Sequence, residues 1–141
     1  MEAIEKIKAK SKDEQLEMAR SPETTEEDLA ILAQVGNHRV RKALASRTGL
    51  STNTLLAFIK NNYLKLIISE RKDLPDEVLQ KLVEEDNWVI REKVASHPDL
   101  SEDVIIDLAN DESDYVRVSL LENQKFDEAF LERMVKSDKR L

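Results

Sequence analysis

Residues 86–109 read DNWVIREKVASHPDLSEDVIIDLA: two short amphipathic segments joined by the turn His97-Pro98-Asp99. In the first, Ile90 and Val94 stand four apart; in the second, Ile105, Leu108 and Ala109 follow the i, i+3, i+4 rule. Both are helix spacings rather than strand alternation. Asn87 and Ser101 precede the two segments as helix caps, and Glu102 and Asp103 fill a first turn where the helix dipole favours acids.

The rest of the chain repeats this unit, and internal repeats decide an architecture before any other signal. Thr24, Leu50, Leu74, Leu100 and Phe126 are equivalent, spaced 26, 24, 26 and 26 residues apart. First segments place Leu29/Leu32/Ala33, Leu55/Phe58/Ile59, Leu79/Leu82/Val83 and Leu131/Met134/Val135 on one face. Second segments open on Asn37, Asn61, Asn87 or Ser113 and carry Val40/Leu44, Leu64/Ile68, Ile90/Val94 or Val116/Leu120. Thr24 with Glu27 fits the capping-box pattern. Isolated helices below about 12 residues are marginal in water, so such units must stack on their neighbours.

Composition agrees. The 141 residues are 40% apolar, 4% aromatic and 36% charged, with only two glycines and three prolines, too few for many tight β-turns. The absence of cysteine excludes a disulfide framework, a thiolate nucleophile and any Cys-ligated metal. No apolar run approaches a membrane span, and residues 1–15 (MEAIEKIKAKSKDEQ) lack a signal-peptide apolar region, so a cytoplasmic, non-membrane protein is expected.

The recurring Val-Arg, Leu/Val-Ala-Ser and Pro-x-Leu-Ser pattern resembles the leucine-rich repeat variant family. Val40-Arg41, Leu44-Ala45-Ser46, Val94-Ala95-Ser96, His97-Pro98-Asp99-Leu100 and Val116-Arg117 carry the match, over roughly residues 11–135. The resemblance implies an all-α, right-handed superhelical solenoid of the armadillo/HEAT kind. It would have about five two-helix repeats of 24–26 residues, a longer α-helix alternating with a short α or 3-10 helix. The expected organisation is one repeat domain over 1–141: a capping helix and partial repeat (1–20), full repeats 21–45, 46–69, 70–95 and 96–121, and a partial repeat (122–141). The founding member's cysteine-ligated iron–sulfur cluster has no counterpart in this cysteine-free chain, and no cofactor is expected. The resemblance further implies an acid–arginine ladder that ties the turns of neighbouring repeats together, built here from Asp86, Arg91, Glu112 and Arg117. Arg41 and Lys65 share that repeat position, but Gly36 and Lys60 stand where the acids would be.

Charge is distributed unevenly. Between Leu29 and Ser69 there is no Asp or Glu, while Arg39, Arg41, Lys42, Arg47, Lys60 and Lys65 are basic, in a chain of net charge −7. Such asymmetry bears on partners rather than on fold. An acidic protein or peptide is the first expected partner of this patch; nucleic acid is the second, with Tyr63 the aromatic beside it. Trp88, the only tryptophan, stands where other units have His38, Asn62 and Asp114, which suggests an exposed binding residue or one folded over the next turn. Phe126, Phe130, Leu131, Met134 and Val135 have no following repeat to bury them and offer a third reading, self-association into a dimer through the last helix.

Catalysis has little material. His38 and His97 belong to no close ligand pair, no P-loop, GxSxG or dinucleotide-binding motif exists, and Glu84-Glu85-Asp86 reads as a solvated helix end. A non-enzymatic binding scaffold is expected, with no metal site.

Overall fold

A computed structural model describes residues 2–124 and Glu132. The described chain is all-helical, ten α-helices and no strand. It divides into two compact units, residues 1–68 and 69–141, at the close of the second predicted repeat.

The first unit holds α1 (Ala3–Lys8), α2 (Lys12–Arg20), α3 (Glu26–Val35), α4 (His38–Ala45), α5 (Thr52–Phe58) and α6 (Asn62–Ile68). Alternate helices pack together: α1 on α3 and α3 on α5, and in parallel α2 on α4 and α4 on α6. Residues 3–20 thus supply two helices, which pack on α3 and α4 in the same alternating way as the helices that follow. A capping box opens α2. The Ser11 hydroxyl accepts from Glu14 N, and the Glu14 carboxylate accepts from Ser11 N, at 3.1 and 3.0 Å.

The second unit holds α7 (Asp76–Leu82), α8 (Trp88–Ala95), α9 (Glu102–Ala109) and α10 (Asp114–Asn123), with α8 packed on both α9 and α10. Phe126, Phe130, Leu131, Met134 and Val135 lie outside the described residues.

The apolar periodicity is what the helices bury. Val40, Leu44, Leu64, Ile68, Ile90, Val94, Val116 and Leu120 are all buried, as are Leu32, Leu55, Phe58, Leu82 and Leu108 on the alternate helices. Each such side chain contributes about 1.5–3 kcal/mol, which two-turn helices cannot supply from backbone bonds alone. The expected alternation of long and short helices is absent. First-segment helices run 10, 7, 7 and 8 residues and second-segment helices 8, 7, 8 and 10, all α.

Capping follows the sequence with two corrections, one of them Ser113, which stands at the N-cap of α10 without a side-chain cap bond. Asn37, Ser51, Asn61 and Asn87 accept main-chain N–H bonds at 3.0–3.1 Å, and Ser101 accepts one at 3.4 Å. The cap of α3 is Thr25, bonded to Asp28 N at 3.2 Å, so Thr24 and Glu27 form no capping box. The Thr24 hydroxyl instead donates to Met18 O at 2.6 Å, tying the turn to the preceding helix.

Candidate anion-binding cleft

Helix α4 carries Val40 and Leu44 inward, which leaves His38, Arg39 and Lys42 on its opposite side. Helix α2 packs alongside and brings Arg20, at its C-terminal end, to the same side. Arg47, in the turn after α4, closes the arrangement. The result is an open cleft of about 770 Å³ lined by Arg20, His38, Arg39, Lys42 and Arg47, with no carboxylate in its wall.

Arg39, Lys42 and Arg20 are exposed, and none has an ion pair among the described residues. Arg47 is half-buried and already employed: its Nη1 donates to Ala19 O at 2.8 Å and to Ser21 O at 2.9 Å. It helps to set the charge of the cleft while holding the turn to the end of α2. Pooled positive charge in a partly enclosed site raises the local concentration of anions.

The remaining basic residues of the patch divide differently. Arg41 is half-buried, with Nε 3.3 Å from Ala33 O and Nη2 3.1 Å from Gln34 O, where it satisfies carbonyls at the end of α3. Lys65 lies on α6 and donates to Asn62 Oδ1 at 3.4 Å; Lys60, exposed, sits in the turn before that helix. Neither lines the cleft. Tyr63 is half-buried beside His38, edge-on at 4.9 Å between ring centroids, its hydroxyl 3.4 Å from His38 Nε2. Arg20 escaped the sequence reading because it precedes the acid-free stretch. Only the packing of α2 on α4 brings it in.

The arginine position of the second unit is structural in its bonding. Arg91 is buried and donates Nη1 to Glu85 O and Asp86 O, at 2.7 and 2.9 Å. Its carboxylate partner is Asp111, with Nε–Oδ2 at 2.7 Å and Nη2–Oδ1 at 3.1 Å; Glu112 stands at 3.9 Å and the Asp86 side chain is exposed. The reason is local. Asp111 Oδ1 also accepts from Ser113 N at 2.9 Å, a turn that points this carboxylate inward and Glu112 toward water. The hydrogen bond from Arg91 to Asp111, helped by the charges of Asp111, Glu112 and Asp86, holds the guanidinium above its usual pKa. Arg117 repeats the carbonyl contact, donating to Asp111 O, and pairs with Asp114.

Trp88 is 40% exposed and stacks on Tyr115, ring centroids 4.9 Å apart and planes 21° from parallel. It thus covers part of α10 while staying open to solvent. The pair is set as His38 is to Tyr63: the first residue of one second-segment helix meets the second residue of the next.

Among the described residues no group of three or more His, Asp or Glu could hold a metal ion, and no helix is long and apolar enough to cross a membrane. No protein family, no curated protein and no solved structure matches this chain.

Proposed function

We propose that this protein is a non-catalytic helical-repeat scaffold that holds an acidic segment of a protein or peptide on the cleft between α2 and α4. The observation that carries the reading is the lining of that cleft, Arg20, Arg39, Lys42 and Arg47 beside His38, without one carboxylate to neutralise it. The repeated helix pairs of 24–26 residues, and the stacking of alternate helices in the first unit, support an α-solenoid like that of the leucine-rich repeat variant family. In such a build, positions that face neither core nor neighbouring turn are released from folding demands. Arg39 and Lys42 occupy such positions.

An acidic peptide suits the cleft better than nucleic acid does. Single strands are held by exposed aromatic platforms as well as by charge. The nearest aromatic, Tyr63, is half-buried and committed to His38. The net charge of −7 also opposes a long polyanion more than a short acidic segment.

Fluorescence anisotropy with a labelled Asp/Glu-rich peptide, and with a single-stranded oligonucleotide of equal charge, tests the reading. The peptide should bind saturably at low salt, weaken as salt rises, and lose affinity by at least about tenfold in the variant R39E/K42E. Tighter binding of the oligonucleotide, abolished by the same variant, would transfer the cleft to nucleic acid. Binding of neither ligand would end the proposal.

A further inference from the structure

On α10, Val116 and Leu120 are buried, whereas Tyr115, Val118 and Leu121 are 66%, 50% and 61% exposed. Spaced three residues apart, the exposed trio lies along one side of the helix, away from the core pair. Trp88 extends this side across α8 by stacking on Tyr115. Single exposed apolar residues need no explanation, but four large ones joined into one surface do.

An open cleft of about 620 Å³ runs between α8 and α10, lined by Glu92, Asp114, Tyr115, Val118, Ser119 and Glu122. Asp114 is paired with Arg117, while Glu92 and Glu122 have no ion pair among the described residues. The apolar strip is therefore rimmed by Glu92 and Glu122, two carboxylates without an ion pair among the described residues.

Repeat register adds an independent argument. Tyr115 and Val118 stand where α4 has Arg39 and Lys42, the second and fifth residues of their helices. These positions are exposed in both helices, so the fold fixes neither their polarity nor their size. In one helix they are cationic and in the other apolar, which is how a repeat scaffold acquires distinct surfaces.

We infer that the Trp88–Tyr115–Val118–Leu121 surface is a second docking site, and that its occupant is an amphipathic helix of a partner protein carrying an apolar stripe flanked by lysine or arginine. The stripe would cover the aromatic pair and Val118, and its basic flanks would meet Glu92 and Glu122. An apolar face laid into a groove with charges at the rim is a recurring mode of helix recognition. The site is chemically opposite to the cationic cleft, so its occupant differs from the acidic segment proposed there.

Trp88 is the chain's only tryptophan and reports directly on this surface. The probe is a short synthetic helical peptide with a leucine–phenylalanine stripe and lysines elsewhere, titrated into the full chain. Trp88 emission should shift to the blue and saturate. The same stripe on a glutamate background should bind at least about tenfold more weakly. Val118→Asp should also weaken the basic peptide about tenfold or more, although it adds an attracting charge, while far-UV circular dichroism stays unchanged. Unaltered or tighter binding to Val118→Asp would mean unspecific charge attraction and overturn the proposal. So would equal binding of the glutamate peptide, or no saturable shift. A Trp88 emission that moves with protein concentration alone would assign the surface to a second copy. Emission already blue-shifted and shielded from acrylamide at every concentration would assign it to the chain's own residues. Either result also overturns the proposal.

Discussion

Arg91 and Asp111 form a two-pronged ion pair between one helix and the turn before the helix packed against it, with 8% and 7% of their side chains exposed. Planar guanidinium and carboxylate geometries match at both bonds, and Glu85 O and Asp86 O take up further donor capacity. Breaking one side of a buried pair leaves the other charge without compensation. Arg91→Ala and Asp111→Ala should each destabilise the protein by about 3–4 kcal/mol, read from urea midpoints. Arg91→Lys should recover little, because an ammonium cannot make the fork. Glu112→Ala should cost less than about 0.5 kcal/mol. A loss at Glu112 equal to that at Asp111 would refute this assignment of the partner.

Arg47 and Arg39 share one cleft but should part company on mutation. Arg47 makes two charge-assisted bonds to carbonyls at the end of α2, and such bonds contribute about 1.5–3 kcal/mol each when buried. Half-burial lowers that figure. Arg47→Ala should therefore destabilise the chain by about 1–2 kcal/mol and weaken binding of an acidic peptide as well. Arg39→Ala and Lys42→Ala should leave stability within about 0.5 kcal/mol and reduce binding alone. Thermal melts beside anisotropy titrations separate the two effects.

These pairs show where sequence reading succeeds and stops. Burial was legible: the i, i+4 pairs Val40/Leu44 and Val116/Leu120 face inward because helical period and hydrophobic burial act over a few residues. Caps were nearly so, missed at Thr24, which stands beside the actual cap Thr25, and at Ser113, whose side chain makes no cap bond. The Arg91 partner fell one residue from Glu112, since both carboxylates occupy the same turn and only backbone direction selects Asp111. Arg47 looked like a surface charge because its acceptors are main-chain carbonyls 26 and 28 residues earlier, groups that carry no side-chain signature. Arg20 joins the cleft through the packing of α2 on α4, a relation that spacing alone does not encode. The exposed side of α10 was not singled out at all, though Tyr115, Val118 and Leu121 alternate with the buried set at helical spacing.

The two glycines are constrained for different reasons. A Cβ on Gly36 would lie 2.5 Å from Val40 Cγ1 and 2.7 Å from Leu32 O, so the close entry from α3 into α4 leaves it no room. Gly49 has open space around it but adopts φ of +66°, in the left-handed region. Gly49→Ala should cost about 1–2 kcal/mol, from backbone strain alone. Gly36→Ala should cost more, about 2–3 kcal/mol, because the backbone carbonyl cannot move aside as a side chain could. Chemical denaturation of the two variants gives the order directly.

The acid limb of stability should carry a local signature at two carboxylates. The hydrogen bond from Arg71 holds the Asp73 carboxyl below its ordinary range, and bonds from Ser11, first its main-chain N–H and then its hydroxyl, do the same for Glu14. Lowered folded-state values mean that each group stabilises the native chain above its unfolded pKa, about 4. That contribution disappears as pH falls through the depressed value. Asp73 is about half exposed, so solvent screening keeps its share well under about 1 kcal/mol. Urea midpoints compared at about pH 6 and about pH 3 should show a smaller loss in Asp73→Asn and in Glu14→Gln than in the parent chain, with the variants already weaker at the higher pH. If both variants lost as much as the parent between the two pH values, these hydrogen bonds would have no part in the acid response. The Arg91 guanidinium, raised above its usual value, stays protonated over this whole range.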